Sequence, residues 1–571
     1  MMNTARIRDL LVGLYGHTVG ASTLHQLTAI LEKHSVRDLT TRTGGLDQRD
    51  TILITYPDQV QEEDRPPLAV LAEFCRGHIW DVVSAVHILP FYPWTSDDGF
   101  SVADYHKVDP RYGDWEDIEL LGRDFRLMFD AVINHASVKS AWFQSFLAGD
   151  QKYRDYFIVP SEEDDLSKIV RPRALPLLTA FQTADGQKKV WTTFSADQVD
   201  LNYANPEVLL EILDVLLLYV SHGADFIRLD AIAYLWKESG TTSIHLPQTH
   251  AIIQLFRAVL DEVAPHVMLI TETNVPHKDN ISYFGDGSNE AHMVYNFSLP
   301  PLVLHAFQTG SAETLLRWAD QLELPSRDVT FFNFLASHDG IGLNPLRGIL
   351  PEEEIEAVVE RVRSHGGLVS LKNESDGTQR PYELNINYFD ALNDPNTDEP
   401  LDTQVDRFVT AHAILLAMRG MPAIYFHSLF GSRSWLEGAQ ASGHNRTVNR
   451  RKFQREELEA LLSDPTTLSA RVFQRLKQLL KVRQEHTAFH PYGTQQAVSC
   501  PPEVFSLLRI SPDGKEHVLC LHNTSNRQVQ WDNPKSYGRW THDLLEDRTM
   551  GESRSISLNP YQTRWLTKGI D

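Results

Sequence analysis

Four apolar runs that each end in polar or charged residues constrain this chain more than anything else in it. The clearest is Gly223-Ala-Asp-Phe-Ile-Arg-Leu-Asp-Ala231. Its β-branched and aromatic character suits one buried strand. Side chains on a strand repeat every second residue, so Arg228 and Asp230 point the same way at its end. Burying such charges is costly unless they are paired and hydrogen-bonded. An isolated Arg-x-Asp would read as a structural ion pair at a strand end. Three further strand ends overturn that reading. His266–Thr273 ends in Glu272, Asp328–Asp339 ends in His338-Asp339, and Arg126–His135 carries Asp130 and ends in Asn134-His135. A parallel (β/α)8 TIM barrel builds its active site at the C-terminal ends of several strands. The expected fold class is therefore α/β, with such a barrel at its centre.

At 571 residues the chain is too long for one core and suits a barrel with appended units. Residues 4 to 35 show helical spacing (Leu10, Leu11, Leu14, then Leu24, Leu27, Leu31), which predicts a helical extension within residues 1–49. The barrel is expected over 50–135 and 200–496. Its strands fall at Asp50–Tyr56, Val82–Pro90 and near 126–134, then at the strand ending in Asp230. The last four lie near 266–272, 292–298, 329–337 and 421–427. Helices are expected at 66–78 and 206–221. Insertions fall after strand three (136–199) and after strand seven (341–400). From 497 to 571 short alternating runs predict a β-sandwich. The net charge of −23 argues against a nucleic-acid or anionic-membrane partner. Cys75, Cys500 and Cys520 lie far apart without metal-ligand spacing, which suits free thiols in a reducing compartment. Met1–Gly20 lacks the apolar core of a signal peptide, and no run reaches membrane-spanning length, so a cytoplasmic protein is expected. No Asp/Asn-rich ion loop appears, and neither a metal nor a cofactor is expected.

Asp130-Ala-Val-Ile-Asn-His135, Arg228-Leu-Asp230, Glu272 and His338-Asp339 resemble, in order, the four short motifs of the α-amylase superfamily. His87-Ile-Leu-Pro-Phe91, Ser96-Asp-Asp-Gly-Phe100, Arg171-Pro-Arg173, Gln198-Val-Asp-Leu-Asn202 and His338-Asp-Gly-Ile-Gly342 are similar to its sucrose-phosphorylase branch. The resemblance spans about residues 50 to 500. It implies a small separate domain in the insertion after strand three. The helical extension departs from typical sucrose phosphorylases and is similar to relatives acting on glucosylglycerate and glucosylglycerol.

Cleaving a glycosidic bond with retention needs a nucleophilic carboxylate and an acid that protonates the leaving oxygen. Asp230 is the expected nucleophile, kept ionised by Arg228. Glu272 is the expected acid/base, a less paired group able to hold a raised pKa. Asp339 is expected to stabilise the oxocarbenium-like transition state and hold sugar hydroxyls. His135 and His338 would donate to hydroxyls, with Gln198 also placed at the glucose site by resemblance. The resemblance pairs Asp97 with Arg446 to close the far end of the glucose pocket. Phe194 and Tyr234 are candidate walls, or else core aromatics.

Phosphate recognition favours the forked donors of arginine, and the resemblance makes Arg173 the phosphate ligand. Inorganic phosphate is then a co-substrate, and the products are α-glucose 1-phosphate and a free acceptor. In the second insertion, Gln379-Arg-Pro-Tyr-Glu-Leu-Asn385 replaces the branch's fructose-holding Asp and Gln with Arg380 and Glu383, flanking Tyr382. Arg380 suits an anionic acceptor. Glu383 would repel one and suits the hydroxyls of glycerol. Glucosylglycerol is therefore the expected substrate, with glucosylglycerate, sucrose 6-phosphate and sucrose as alternatives. A phosphate-independent α-glucosidase or transglucosidase is a competing class. A catalytically dead binding subunit is another, opposed by the intact Asp230, Glu272 and Asp339. The partners expected are small molecules, with a monomer or homodimer as the assembly.

Overall fold

The computed structural model describes residues 4–35, 45–172, 175–373, 378–534, 537–551 and 554–568. Eight strands close into a barrel: β1 (Ile52–Thr55), β2 (Ala85–Ile88), β3 (Arg126–Ala131), β4 (Ala224–Leu229), β5 (Met268–Thr271), β6 (Met293–Tyr295), β7 (Thr330–Asn333) and β8 (Met421–Tyr425). Every neighbouring pair is parallel. Apart from half-buried Arg126 at the start of β3, every strand residue is buried, as expected of parallel strands covered on both faces. The strands are shorter than the apolar runs suggest. β3 stops at Ala131 and β7 at Asn333, so Val132-Ile133 and Phe334-Leu335 already lie outside the ladder and lead to the polar residues at the barrel mouth.

Local sequence explains how β4 is delivered. Pro206–Ser221 is a helix capped by the Asn205 side chain, which accepts from the Glu207 amide, with Pro206 at the first helical position. Gly223 then adopts φ +93°, a conformation cheap only for glycine, and the chain turns into β4. In register, Arg228 lies opposite Asp130 on β3 and Ile270 on β5.

Two insertions roof the C-terminal ends of the strands. After β3, residues 135–137 pair antiparallel with 198–200, and Leu178–Thr183 forms a hairpin with Gly186–Trp191. After β7, Ile341–Gly342, Gln379–Asn385 and Leu368–Asn373 make a three-stranded antiparallel sheet. The C-terminal region is a β-sandwich of a six-stranded and a two-stranded sheet, with a core of its own around Leu519, Trp531 and Ile556. The N-terminal helical segment Thr4–Ser35 folds back at Gly16 (φ +77°), and Tyr15 ties it to the barrel by donating to the Tyr203 carbonyl at 2.9 Å. Among the described residues, no helix is long and apolar enough to cross a membrane.

Candidate active site

Arg228 organises the floor of the site. Its buried guanidinium lies 2.5 Å from Asp130 Oδ1, 2.7 Å from Asp230 Oδ1 and 3.8 Å from Glu272 Oε2. Asp130 is held from its other side by His87 Nε2 at 2.7 Å. The chain turns sharply after Asp230: Ala231 takes φ +48°, and its amide donates to Glu272 Oε2 at 3.1 Å. Non-glycine residues with positive φ are strained and gather at functional sites. Asp97 (φ +53°) and His245 (φ +56°) hold the same conformation on the walls of the same cavity.

The two central carboxyls titrate as a pair. Burial raises the pKa of Glu272 to about 7, with Arg228 opposing and Asp230 and Asp339 reinforcing the shift. Burial also raises that of Asp230, against the pull of Arg228. The shared proton belongs on Glu272, because Asp230 has the shorter contact with Arg228. Burial would raise Asp339 too, but Arg446, His338 and Arg450 outweigh it and hold that carboxyl well below its usual range. Burial lowers His338 to about 3 and also lowers His135, so both rings are neutral at pH 7. The His338 ring stacks on Phe100 at 4.7 Å.

Arg446 closes the far end of the cavity with two carboxylates. It lies 2.6 Å from Asp339 Oδ1 and grips Glu383 through two nitrogens, at 2.9 and 3.1 Å. Asp97 adds to the field that holds Arg446 charged. Arg450 takes the neighbouring Asp98. Glu383 is only 2% exposed and also accepts from the Gly340 amide at 2.7 Å. A side chain at position 340 would collide with the Leu384 carbonyl and the Glu383 side chain, so this approach requires glycine there.

These groups line one cavity of about 410 Å³. Asp97, His135, Gln198, Asp230, Glu272, His338, Asp339 and Arg446 all reach it, as do Phe194, Tyr234, Tyr382 and Glu383. Phe194 and Tyr234 are half-buried at the cavity surface and meet edge to face at 5.5 Å. His135 points Nε2 at the Phe100 carbonyl (2.9 Å), and the Gln198 amide donates to the same oxygen. Arg228 stands beneath the floor, among the carboxylates. Arg173 lies outside the described residues, while Arg171 lines the cavity.

Two expectations are corrected. Arg380 does not line the cavity; its guanidinium lies 3.8 Å from Glu352, in a first helical turn that carries Glu352, Glu353 and Glu354. Glu383 does not face the acceptor as an uncompensated carboxylate, because Arg446 neutralises it. Sequence reasoning missed Asn274, His245, Asn344, Arg347 and Lys372, which also line the cavity. Asn344 and Arg347 share one turn, but the others come from separate segments with no common spacing. Among the described residues, no group of three or more His, Cys, Asp or Glu could hold a metal ion.

The Alpha-amylase family model (Alpha amylase, catalytic domain) matches residues 82–340. The chain is 49% identical over 580 residues to a glucosylglycerate phosphorylase of Spirochaeta thermophila, covering 98% of each chain. It is 46% identical to a glucosylglycerate phosphorylase of Escherichia coli, over 98% of this chain and 99% of that one. A glucosylglycerol phosphorylase of Marinobacter adhaerens is 28% identical over 454 residues, covering 76% of this chain and 87% of that one. Among solved structures, sucrose 6F-phosphate phosphorylase from Thermoanaerobacter thermosaccharolyticum superposes with a TM-score of 0.72 at 26% identity, covering 83% of this chain and 94% of that one. With the Arg228-centred carboxylates at the strand ends and relatives of this length and identity, the chain belongs to the sucrose-phosphorylase branch of the α-amylase superfamily.

Proposed function

We propose that this phosphorylase acts on α-glucosylglycerate, converting it with inorganic phosphate into α-glucose 1-phosphate and glycerate. The observation that carries the reading is the Glu383–Arg446 pair. The glycerol reading needed Glu383 to repel an anionic acceptor. A buried carboxylate bound through both oxygens to a half-buried guanidinium has little charge left to repel with. The identities favour the same conclusion, at 49% to a glucosylglycerate phosphorylase against 28% to a glucosylglycerol phosphorylase.

The mechanism is a double displacement with retention. Asp230 attacks the anomeric carbon while the bond to the glycerate oxygen breaks and Glu272 gives that oxygen its proton. A Glu272 pKa of about 7 suits a group that must be an acid in one step and a base in the next. Hydrogen phosphate then attacks the glucosyl-enzyme; its proton passes to Glu272, and Asp230 leaves as carboxylate. Asp339, held ionised by Arg446, stabilises positive charge developing on the sugar. Asp97, His135, Gln198 and His338 hold glucose hydroxyls between the walls of Phe194 and Tyr234. Arg173, two residues beyond Arg171, is assigned to phosphate.

The test is to supply α-glucosylglycerate with and without phosphate and follow the products by NMR. Phosphate-dependent formation of α-glucose 1-phosphate is expected. Release of free glucose at the same rate without phosphate would make the protein a hydrolase.

A further inference from the structure

The segments after β2, β7 and β8 meet behind the glucose end at one buried arginine. Arg450 is 5% exposed and does not line the cavity. Its Nε donates to the His338 carbonyl at 2.9 Å, and its Nη1 pairs with Asp98. Nη2 lies 3.7 Å from Asp339 Oδ1 and makes no hydrogen bond among the described residues. We propose that Arg450 is a positioning residue that sets the width of the glucose end, by holding the loop that carries Asp97 against the strand end that carries Asp339. The inference rests on the function proposed above only in that a glucosyl unit sits between Asp97 and Asp339; it does not depend on the acceptor.

The loop after β2 does not hold its shape by itself. Asp97 (φ +53°), Asp98 (φ +47°) and Gly99 (φ +111°) take positive φ in succession. Aspartate pays for that conformation, which persists only where the surroundings over-determine it. Thr95 and Ser96, just upstream, donate to Asp197 in the insertion after β3. Phe100, just downstream, stacks on the His338 ring. Between those anchors Arg450 ties Asp98, and the preceding residue, Asp97, reaches the cavity.

The same segment holds the opposite wall. Asn449 donates to the Ser337 carbonyl at 2.7 Å, and Arg450 to the carbonyl of the next residue. The Asn449 carbonyl in turn accepts from the Tyr425 hydroxyl, at the end of β8, at 2.7 Å. A guanidinium is planar and rigid. With Nε on the His338 carbonyl and Nη1 on Asp98, those two partners cannot shift independently. Asp339 is one residue from the first and Asp97 one residue from the second. A lysine ammonium could replace the charge but not the fixed angle between the two contacts.

The test compares wild type with Arg450→Met, Arg450→Lys, Asp98→Asn and the Met and Asn changes combined, using thermal melting to monitor folding. Glucose binding is read by calorimetry, and the KM values for α-glucose 1-phosphate and for glycerate are read in synthesis. Arg450→Met should weaken glucose binding and raise KM for α-glucose 1-phosphate roughly tenfold or more, with KM for glycerate changed by less than about twofold. Arg450→Lys should recover thermal stability but only part of the glucose affinity. Asp98→Asn, at a half-exposed carboxylate, should show the same split at about threefold, and the combined variant should be no worse than Arg450→Met alone. Equal loss for glucose and glycerate, or full recovery of glucose affinity with lysine, would overturn the positioning role. Unchanged glucose affinity in Asp98→Asn would overturn it as well, and that variant decides the matter if the arginine variants do not fold. A wild type that binds glucose but does not turn over α-glucose 1-phosphate overturns the function proposed above; the glucose affinities of the variants then still decide the role of Arg450.

Discussion

At the glucose end of the cavity, Arg446 lies 2.6 Å from Asp339 and 2.9 Å from Glu383, and Arg228 bridges Asp130 and Asp230. At the mouth, Arg380 is 43% exposed and leans on a helix turn, while Arg347 and Lys372 face the cavity from the insertion. The first region is a set of charges paired to one another before any substrate arrives. The second presents cationic side chains on a sheet grafted onto the barrel. The difference separates chemistry from choice of acceptor. On the proposed function, the mutually paired groups fix geometry for glucosyl transfer, and the charges borne by the insertion decide what leaves and what attacks.

Breaking the paired end should have the largest effects. Asp230→Ala should reduce kcat by about 10⁴-fold or more, measured by phosphate release from α-glucose 1-phosphate. Turnover near wild type would remove Asp230 from the nucleophile's role. Arg446→Ala leaves buried Glu383 without its ion pair and Asp339 with only the more distant Arg450, and should lower stability by about 3–5 kcal/mol in urea unfolding, with transfer lost to every acceptor. Changed acceptor preference with stability intact would place Arg446 and Glu383 at the mouth instead. A gentler probe is pH. Glu272 must be protonated to expel the acceptor, and its pKa stands at about 7. The kcat/KM for phosphorolysis should therefore hold below that value and fall about tenfold per unit well above it. The smallest effect is expected at the mouth's outer edge: Arg380→Ala should change kcat/KM for glycerate by less than about threefold, as for other exposed charge pairs.

The barrel was legible because the carboxyls that line its cavity sit at the ends of long apolar runs, where a charge has no structural reason to be. Asp230, Glu272 and Asp339 could be read from that pattern, and the order of the motifs joined them. The partners of Arg446 could not. Asp339, Glu383 and Arg446 are separated by dozens of residues on three different segments, and no periodicity links them. Reading Glu383 as a bare carboxylate was the natural error, since a sequence shows a charge but not its counter-charge. Arg380 misled for the related reason that its partner, Glu352, lies in a helix of the same insertion. Lys372 and Arg347 carried no signal, because surface-like cations are common in loops and only the cavity distinguishes these two.

The most direct measurement is synthesis from α-glucose 1-phosphate with glycerate and glycerol at equal concentration, following phosphate release. The account predicts faster release with glycerate, by about tenfold or more if one charge-assisted contact holds its carboxylate. Faster release with glycerol would contradict it and return Glu383 to the acceptor site.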